Sequence, residues 1–516
     1  MCGIAVLHDI SASPVVDSTR SGGAGGEHAA DALAALGTPM LARLEHRGPD
    51  GTHARRVGPT WLGHTRLSIV DIVGGDQPLG DATGTRWVVC NGEIYNHEAL
   101  RNELEGPFLT RSDSEAALHA SYEGPLGVAR LRGMFAFCVA GDDGFFLAAR
   151  DRLGVKPLYW ARQGDIVAFA SELGAFEEDW RCDVEEFPPG HVWTRADGLV
   201  RYGEIAEETR EYTTREQAHD AIRDGLVRGV RRRMMSDVPV GVFLSGGLDS
   251  SLVAAILSRE SEPGEPVHSF AAGTAESADL AAARVVADHL GLTHHERVYT
   301  ADEVVEVLPT VVASIESFEP SLVRSAVPNY LLAELAAQHV KVVLTGEGAD
   351  ELFAGYDHLR DIEDADDLRL ELIRSVEGLH NLNLQRCDRV TMAHGLEARV
   401  PFLDLDLIAV AQRVPIGWKL PGEQGQEKAI LRNAFAGWIP DEILWRRKEQ
   451  FGDGSGTAAV MADRASDVAP DVDWEQVRVP GLPPARSREE LGYQRMFAQR
   501  LQGIRSSQVL GRFATA

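Results

Sequence analysis

The stretch Val240-Gly-Val-Phe-Leu-Ser-Gly-Gly-Leu-Asp-Ser-Ser251 decides the fold of the second half of the chain. Its apolar part, which ends at Leu244, predicts a buried strand of a parallel sheet. The two glycines that follow predict a sharp turn that can approach a ligand closely. A helix is predicted to begin at Leu248 or Asp249, because cap-type residues precede the apolar run 252–257.

This turn is predicted to bind a phosphate chain, since a helix start offers free N–H groups and the serines add hydroxyls. No lysine follows the glycines, so the turn is not the common Gly-Lys-Ser/Thr loop. Asp249 would repel a bare phosphate, which predicts Mg²⁺ between the two. Residues 245–251 resemble the pyrophosphate loop of ATP pyrophosphatases, which adenylate an oxygen and release pyrophosphate. The alternative is an ordinary strand–glycine–helix turn.

Length and composition predict a globular protein of two or three domains, because 516 residues exceed one core. The net charge of −27, from 51 basic and 78 acidic residues, argues against binding to nucleic acid or an anionic membrane. The sequence contains no apolar run close to the ~20 residues of a membrane span. The five scattered cysteines predict a reducing cytoplasm.

Cys2 is a candidate nucleophile because of its position. Removal of the initiator methionine would leave it with a thiol and a free α-amine whose ordinary pKa is near ~8. One residue would then supply nucleophile and base together, as in N-terminal nucleophile enzymes. The alternative is a small buried cysteine in a first strand, 2–7.

The first half is predicted to form stacked sheets with few helices. Residues 11–26 are rich in Ser, Gly and Ala and are typical of a loop, and a helix is predicted from about 29 to 44. Short apolar strands recur at 87–90, 135–139 and 145–148.

Six motifs of this half occur in a specific order. They are Met1–Ile4, His46–Asp50, His64–Asp71, Asn91–Asn96, Ser112–Glu115 and Arg150–Tyr159. Together they resemble the class II glutamine amidotransferase domain, an α/β/β/α sandwich of the N-terminal nucleophile hydrolase type. The resemblance implies such a domain over residues 1–205.

The resemblance also implies a role for each matching residue. Cys2 would attack the side-chain amide of glutamine and free ammonia, while Asn91 and the N–H of Gly92 stabilise the oxyanion. Arg66 would hold the α-carboxylate as a bidentate fork. The implied glutamine-binding residues are Arg66, Leu67, Val70, Asn91, Gly92, Glu93 and Asp113, of which Glu93 and Asp113 would accept the α-ammonium.

Beyond an acidic linker at 204–211, the pattern becomes helical and then alternates between strand and helix. Ala218, Ile222, Leu226 and Val230 recur at the spacing of one helix face. Strands at 267–273 and 340–344, with helices between them that include one near 327–338, predict a doubly wound parallel sheet. Such a sheet binds its ligand at the carboxyl ends of the strands. His294–His295 is predicted to be an exposed turn rather than a metal site, because no carboxylate cluster lies nearby.

The string Leu344–Tyr356 places glycines and acids after a strand of this sheet. With Arg389–Asp404 and Arg446–Phe451, it resembles the synthetase half of glutamine-hydrolysing, B-type asparagine synthetases. The resemblance spans residues 1 to about 455. It implies an ATP pyrophosphatase domain with added helices over 214–516, in which ATP adenylates aspartate and ammonia displaces AMP to give asparagine. A homodimer is expected only because the resemblance implies one.

Synthetase-site residues are implied by the same resemblance. Asp249 and Asp350 would bind Mg²⁺, Glu347 would be the base for the attacking ammonia, and Lys448 would neutralise pyrophosphate. The implied contacts to ATP are Leu244, Ser245, Gly246, Gly247, Asp249, Ser250, Ala272, Thr345 and Gly346.

The chain departs from the family pattern near the acceptor acid, where Thr-Thr-(Ile/Val)-Arg-Ala-Ser is usual. Here Arg324 is retained and could pair with a carboxylate. Leu322 stands where the family has a hydroxyl, and loss of a hydrogen bond from that hydroxyl to aspartate would cost ~1–3 kcal/mol of binding free energy. The resemblance predicts the function of a glutamine-dependent asparagine synthetase. The departure near the acceptor acid leaves an alternative, a related enzyme that amidates another carboxylic acid. A glutaminase with a regulatory second half is a further alternative. Residues 452–457 are predicted to be flexible, as a lid would be.

Overall fold

The computed structural model describes all residues except 1, 13–23, 206–207, 209, 422–424, 449–453, 469–471 and 512–516, and it leaves out the side chains of 24–31, 465 and 466. The predictions for the loop 11–26, the linker 204–211, the segment 449–451 and the stretch 452–457 fall partly or wholly outside these residues. Removal of Met1 also lies outside them.

The described residues form strands and helices over most of the chain. The strands are β1 (Cys2–Asp9), β2 (Gly51–Val57), β3 (Thr60–Arg66), β4 (Leu79–Gly80), β5 (Arg86–Ile94), β6 (Gly133–Gly141), β7 (Phe146–Arg150), β8 (Tyr159–Gln163), β9 (Ile166–Ala170), β10 (Glu185–Glu186), β11 (His191–Thr194), β12 (Gly198–Arg201), β13 (Val240–Phe243), β14 (His268–Gly273), β15 (Thr293–Val298), β16 (Val342–Leu344) and β17 (Glu397–Arg399).

The α-helices follow in the same chain order. They are α1 (Ala24–Ala42), α2 (His97–Leu100), α3 (Ser114–Ala120), α4 (Pro125–Val128), α5 (Arg215–Arg233), α6 (Leu248–Glu260), α7 (Ala278–Leu290), α8 (Ala301–Ile315), α9 (Pro320–Ala336), α10 (Ala349–Phe353), α11 (Ala365–Gly378), α12 (Asn383–Met392), α13 (Leu405–Gln412), α14 (Ile416–Lys419), α15 (Ala429–Ala434), α16 (Asp441–Leu444), α17 (Thr457–Asp463), α18 (Ala465–Val468), α19 (Arg488–Arg500) and α20 (Ser506–Val509).

The first half is a sandwich of two antiparallel sheets. Their strand orders are β10-β8-β9-β1-β3-β2 and β12-β11-β7-β6-β5-β4. In β1, Ile4 and Val6 face the second sheet, whereas Ala5 and Leu7 face the layer that contains α1, as the two-residue period of a strand requires. Helix α3 packs on the outer face of the second sheet. The predicted α/β/β/α sandwich is confirmed.

The second half is built on a five-stranded parallel sheet in the order β15-β14-β13-β16-β17. Apolar side chains of α6 and α7 cover one face, together with the predicted stripe of α5, and α8 and α9 cover the other. This is the predicted doubly wound arrangement. Burial on both faces explains why β13 and β16 are continuous apolar runs.

The chain reverses its direction of winding at β13. From this strand it runs outward to β14 and β15, and it then returns to the other side of β13 to form β16 and β17. In open α/β sheets, ligands bind at such a reversal, outside the carboxyl ends of the strands. A Cβ on Gly346, in the turn after β16, would lie 3.0 Å from the Cβ of Asp249 at the start of α6.

Three local predictions were wrong. His294 and His295 lie in the edge strand β15 and are half-buried, so they do not form an exposed turn. Helix α9 begins at Pro320, seven residues before its predicted start, and therefore contains Arg324. The described end of the supposed flexible stretch is packed, since Thr457 is fully buried and shares a hydrogen bond with Tyr299.

The strands of the sandwich end at Arg201, and those of the parallel sheet begin at Val240. The predicted boundary between residues 205 and 214 lies in this interval and remains a prediction. The two halves contact each other, for example through Lys341 Nζ and Asp50 Oδ2 at 2.7 Å. The described helices include none that is both long and apolar enough to cross a bilayer.

Candidate active site

Cys2 lies at the start of β1, paired with Arg66 of β3. Its side chain is buried, and its backbone N–H donates to Asn91 Oδ1 at 3.1 Å. Burial raises the pKa of the Cys2 thiol, and the backbone N–H of Leu67 opposes that rise. The thiol is therefore protonated at rest and needs a nearby base to become a nucleophile.

Asn91, which accepts the hydrogen bond from the Cys2 backbone, is followed in β5 by Gly92. Asn91 Nδ2 is buried and has no hydrogen-bond partner among the described residues. Gly92 has φ +141, and a Cβ there would lie 2.0 Å from the carbonyl oxygen of Met134, so only glycine fits. A buried donor without an acceptor is what an oxyanion site provides before substrate binds.

Buried carboxyl groups form the next part of this site. Glu93 Oε1 pairs with Arg399 Nη2 at 3.2 Å, and Glu93 Oε2 lacks a partner within the described part of the chain. Asp113 Oδ2 accepts a hydrogen bond from the Ile94 N–H at 2.7 Å. Burial raises the pKa of Asp113 to about 6, although that hydrogen bond opposes the rise. The two acids suit an ammonium group that brings its own positive charge.

Arg66 pairs with Cys2 through its backbone, and its guanidinium is held by the loop that follows β3. Its Nη1 pairs with Asp76 Oδ1 at 2.6 Å, and its Nη2 donates to the Asp71 carbonyl oxygen at 2.7 Å. Asp76 is largely exposed, so a carboxylate ligand can compete for this arginine. Val70 packs against apolar residues of the second half, such as Val342. The structure thus brings the predicted residues of this half to one region.

Arg399 is a site residue that the sequence prediction missed. It comes from β17 of the second half, is fully buried, and donates from Nε to Glu397 Oε1 at 2.5 Å. Its Nη1 is fixed by the carbonyl oxygens of Arg233 and Met235 at 2.7 and 2.6 Å. Through its pair with Glu93, the second half of the chain contributes to the site around Cys2.

A second site occupies a cavity of about 1070 Å³ at the carboxyl edge of the parallel sheet. Both turns at the winding reversal line it, as the fold requires. The predicted ATP contacts that line the cavity are Leu244, Ser245, Gly247, Asp249, Ser250, Thr345 and Gly346. Ala272 and Gly246 are not among the lining residues. Gly246 instead adopts φ +69 and packs on Ala282, where a Cβ would lie 2.5 Å from its backbone carbon.

The two predicted metal ligands meet in this cavity around one lysine. Lys428 Nζ lies 2.5 Å from Asp249 Oδ2 and 2.6 Å from Asp350 Oδ1. Lys448 Nζ approaches the same oxygen of Asp350 at 2.7 Å. Burial disfavours the Asp350 carboxylate, but the two lysines outweigh it and lower its pKa to about 2.

Lys428 gave no signal in the sequence. It is almost fully buried and precedes α15 in the left-handed region with φ +55, which is unfavourable for a residue with a side chain. Such strain is found where the surrounding structure needs a side chain aimed at one point. No glycine turn or strand end marked this position.

Further polar groups lie across the cavity. Glu347 pairs with Arg386, whose Nη1 also donates to Ser325 Oγ at 2.9 Å. Glu351 accepts a hydrogen bond from the Tyr356 hydroxyl at 2.6 Å, and burial raises its pKa to about 7, helped by the charge of Asp350. Arg386 had no role in the sequence prediction, and Glu351 was expected only as one of the acids near the phosphate site.

Arg324 lies in the cavity wall as predicted, but it is already paired. Its Nε and Nη2 contact the two carboxylate oxygens of Glu489 at 3.0 and 2.5 Å, and Tyr493 donates to the same carboxylate at 2.8 Å. Leu322 also lines the cavity and is buried within the apolar core. An acceptor acid would therefore share Arg324 with Glu489.

Family models match both halves of the chain. A model for asparagine synthase matches residues 221–365 and 359–501, and a glutamine amidotransferase domain model matches residues 22–195. Among solved structures, a glutamine phosphoribosylpyrophosphate amidotransferase from B. subtilis aligns with 17% identity over 53% of this chain and 67% of that chain. Its TM-score of 0.30 is too low to support an assignment of fold.

Curated relatives match over most of their length. A probable glutamine-hydrolysing asparagine synthetase from Dictyostelium discoideum is 40% identical over 457 residues, 81% of each chain. Glutamine-hydrolysing asparagine synthetase 3 from Arabidopsis thaliana is 39% identical over 445 residues, 80% of this chain and 75% of that one. A probable enzyme of the same name from Schizosaccharomyces pombe is 37% identical over 497 residues, 90% and 86% of the two chains. The chain belongs to the glutamine-hydrolysing asparagine synthetase family.

Proposed function

We propose that this chain is an ATP-dependent carbon–nitrogen ligase that converts aspartate, glutamine, ATP and water to asparagine, glutamate, AMP and pyrophosphate. Family membership supports the overall reaction. The division of this reaction into two half-reactions is supported by one observation, the presence of two polar sites in one chain. One contains Asn91 Nδ2, a donor with no partner among the described residues, on a side chain bonded to the backbone of the buried Cys2. The other has two acids joined by Lys428 in an open cavity.

In the glutaminase half, the α-amine that removal of Met1 would leave on Cys2 takes the thiol proton, and the Cys2 sulfur attacks the side-chain carbonyl carbon of glutamine. The negative charge that develops on oxygen is met by Asn91 Nδ2 and the N–H of Gly92. The α-amine returns the proton to the leaving nitrogen, so collapse of the intermediate releases ammonia and leaves a thioester. Water then hydrolyses the thioester to glutamate and the free thiol. Arg66 holds the α-carboxylate of the substrate, and Leu67 and Val70 complete its pocket. The α-ammonium lies against Glu93 and Asp113.

In the synthetase half, a side-chain carboxylate oxygen of aspartate attacks the α-phosphorus of ATP, and pyrophosphate leaves. Ammonia then attacks the acyl carbon, AMP leaves, and Glu347 accepts the proton. The ammonium groups of Lys428 and Lys448 neutralise charge on the departing pyrophosphate. These local cations are needed because the chain as a whole has a net charge of −27.

The acids of this site fit Mg²⁺. Asp249 Oδ1 is buried and has no hydrogen-bond partner among the described residues. Asp350 pairs with Lys428, as Asp249 does through its other oxygen. Carboxylate oxygens together with phosphate oxygens are the ligands that Mg²⁺ prefers. When bound, the ion supplies positive charge to the phosphates. Asp249 and Asp350 would hold it.

The acceptor acid is tested by a panel of small carboxylic acids, each with glutamine, ATP and Mg²⁺. We expect AMP and pyrophosphate with aspartate, because Arg324 can exchange Glu489 for a substrate carboxylate. Production of AMP with a different acid and none with aspartate would show that Leu322 has changed the acceptor. Glutamate release without AMP for every acid would mean that the second half only binds or regulates.

The KM for glutamine is expected to depend on the ionisation of Asp113. Burial raises its pKa to about 6, so the carboxylate gains a proton as the pH falls through that value and no longer attracts the α-ammonium. We expect KM to rise by up to about tenfold per pH unit below about pH 6. Initial rates of glutamate release measure it. In Asp113→Asn, KM should be high and nearly flat with pH, and a steep profile in that variant would rule out this assignment.

We further propose a cytoplasmic location and a homodimer, with no nucleic acid or membrane as partner. The cysteines at 2, 90, 138, 182 and 387 are all free thiols, which supports a reducing compartment. The acidic net charge supports the absence of polyanionic partners. Light scattering on the purified protein measures the number of subunits.

A further inference from the structure

Three histidines converge on the parallel sheet, away from the nucleotide cavity. His268 is the first residue of β14, His295 lies in β15 opposite Phe270, and His339 lies in the connection from α9 to β16. Because the strands are parallel, β14 and β16 begin at the edge opposite the one that carries Ser245 and Gly346. The proposed ligase reaction makes no use of this cluster.

The ring nitrogens are close enough to share a ligand. His268 Nδ1 lies 3.0 Å from His295 Nε2, and one nitrogen from each of the three rings lies within 4.8 Å of the others. In tetrahedral sites with metal–nitrogen bonds of about 2.0–2.1 Å, ligand nitrogens are about 3.3 Å apart. The first pair is already near that spacing, and His339, which is exposed, needs a shift of about 1.5 Å or less.

The surroundings favour a particular class of ion. The rings pack on Phe270, with centroids 5.1 Å from His295 and 5.8 Å from His339. The cluster contains imidazoles and no carboxylate, so it suits Zn²⁺, Co²⁺, Ni²⁺ or Cu²⁺ and disfavours Mg²⁺ and Ca²⁺. The rings are stacked, with His295 and His339 inclined by 29°, so they must turn about their side-chain torsions to aim their lone pairs at one point. The exposure of His339 gives an ion direct access from solvent.

We propose that His268, His295 and His339 form a site for a divalent transition metal such as Zn²⁺, which joins the edge strand β15 to β14 and to the connection before β16. The ion would occupy a position open to water and would complete its coordination with water molecules. Its effect would be to fix this edge of the sheet. The inference does not depend on the proposed function.

The test is a titration of the untagged, full-length protein with Zn²⁺, followed by calorimetry. The protein carries Cys2→Ala to remove the N-terminal thiol, and excess Mg²⁺ occupies the acids of the other site. We expect one tight equivalent of Zn²⁺ and a rise in Tm. Loss of one supporting contact at a metal site weakens binding about 10–100-fold, so His295→Ala and His339→Ala should each weaken it at least that much.

His294→Ala is the matched control, since this neighbour points to the other face of β15 and hydrogen-bonds Ser269. It should bind Zn²⁺ as the parent does. Co²⁺ gives an independent signal, because visible absorption bands report imidazole coordination. Absence of a tight equivalent in the parent, or equal binding in His339→Ala, would overturn the proposal. His339 is exposed, so its removal leaves the fold intact and the comparison valid.

Discussion

Replacement of Cys2 by alanine is expected to abolish asparagine formation from glutamine, with a loss of at least about 10³-fold, and to leave the ammonia-dependent reaction near its original rate. In the proposed reaction the Cys2 sulfur forms the covalent intermediate. Cys90, the thiol that precedes Asn91, is buried in the core beneath α3, and burial raises its pKa well above the ordinary value. Added ammonia enters the synthetase half without needing that intermediate. The measurement is the rate of AMP and asparagine production with glutamine and with ammonium chloride.

Cys138→Ala is a suitable control for this experiment. Cys138 is fully buried in the same sandwich, in β6, and faces the core between the two sheets. This variant should lose some stability through the removed sulfur atom but retain both activities. The assignment of the nucleophile would be wrong if Cys2→Ala still used glutamine. It would also be wrong if the folded variant lost its ammonia-dependent reaction.

The sequence predicted the fold of both halves because the determining signals are local. Buried parallel strands appear as continuous apolar runs, and Gly346 and the glycines before Asp249 mark the turns where two such strands end. Adjacent turns at a winding reversal then place the predicted ATP contacts together. Most of the candidate site could be located by this reasoning and by the resemblance.

Residues that act across long stretches of chain could not be found in the same way. Lys428 meets Asp249 across 179 residues, and Arg399 meets Glu93 across the two halves. Both lie in segments whose local pattern predicts only a helix start or a short strand. Their role depends on tertiary packing, which periodicity does not encode.

The wrong prediction for His294–His295 has a related cause. The sequence of β15, Thr-His-His-Glu-Arg-Val, lacks the apolar alternation by which a strand is recognised. The strand is stabilised by its pairing with β14, whose residues Phe270 and Ala271 are buried. An edge strand needs only one such neighbour, so its own residues can remain polar.

Replacement of Lys428 by methionine is expected to reduce asparagine formation from either nitrogen source by at least about 10²-fold, while glutamine hydrolysis continues. The change removes the cation that joins Asp249 and Asp350, and it leaves two half-buried carboxylates facing each other. Loss of one partner of a fully buried ion pair costs about 3–5 kcal/mol. Because the side chains of these two acids are 21% and 22% exposed, Tm should fall, but by less than that cost implies.

Lys419→Met separates the loss of this charge from the loss of a buried lysine. Lys419 is equally buried, but burial and the nearby Arg369 lower its pKa to about 7, so much of it is neutral at neutral pH. Its replacement should change neither rate.

High Mg²⁺ should restore the Tm of Lys428→Met by neutralising the two acids, but it cannot restore the ammonium group at the pyrophosphate. Recovery of the full rate in high Mg²⁺ would show that Lys428 serves only to neutralise the two acids. A rate that is undiminished before the Mg²⁺ concentration is raised would exclude Lys428 from the reaction.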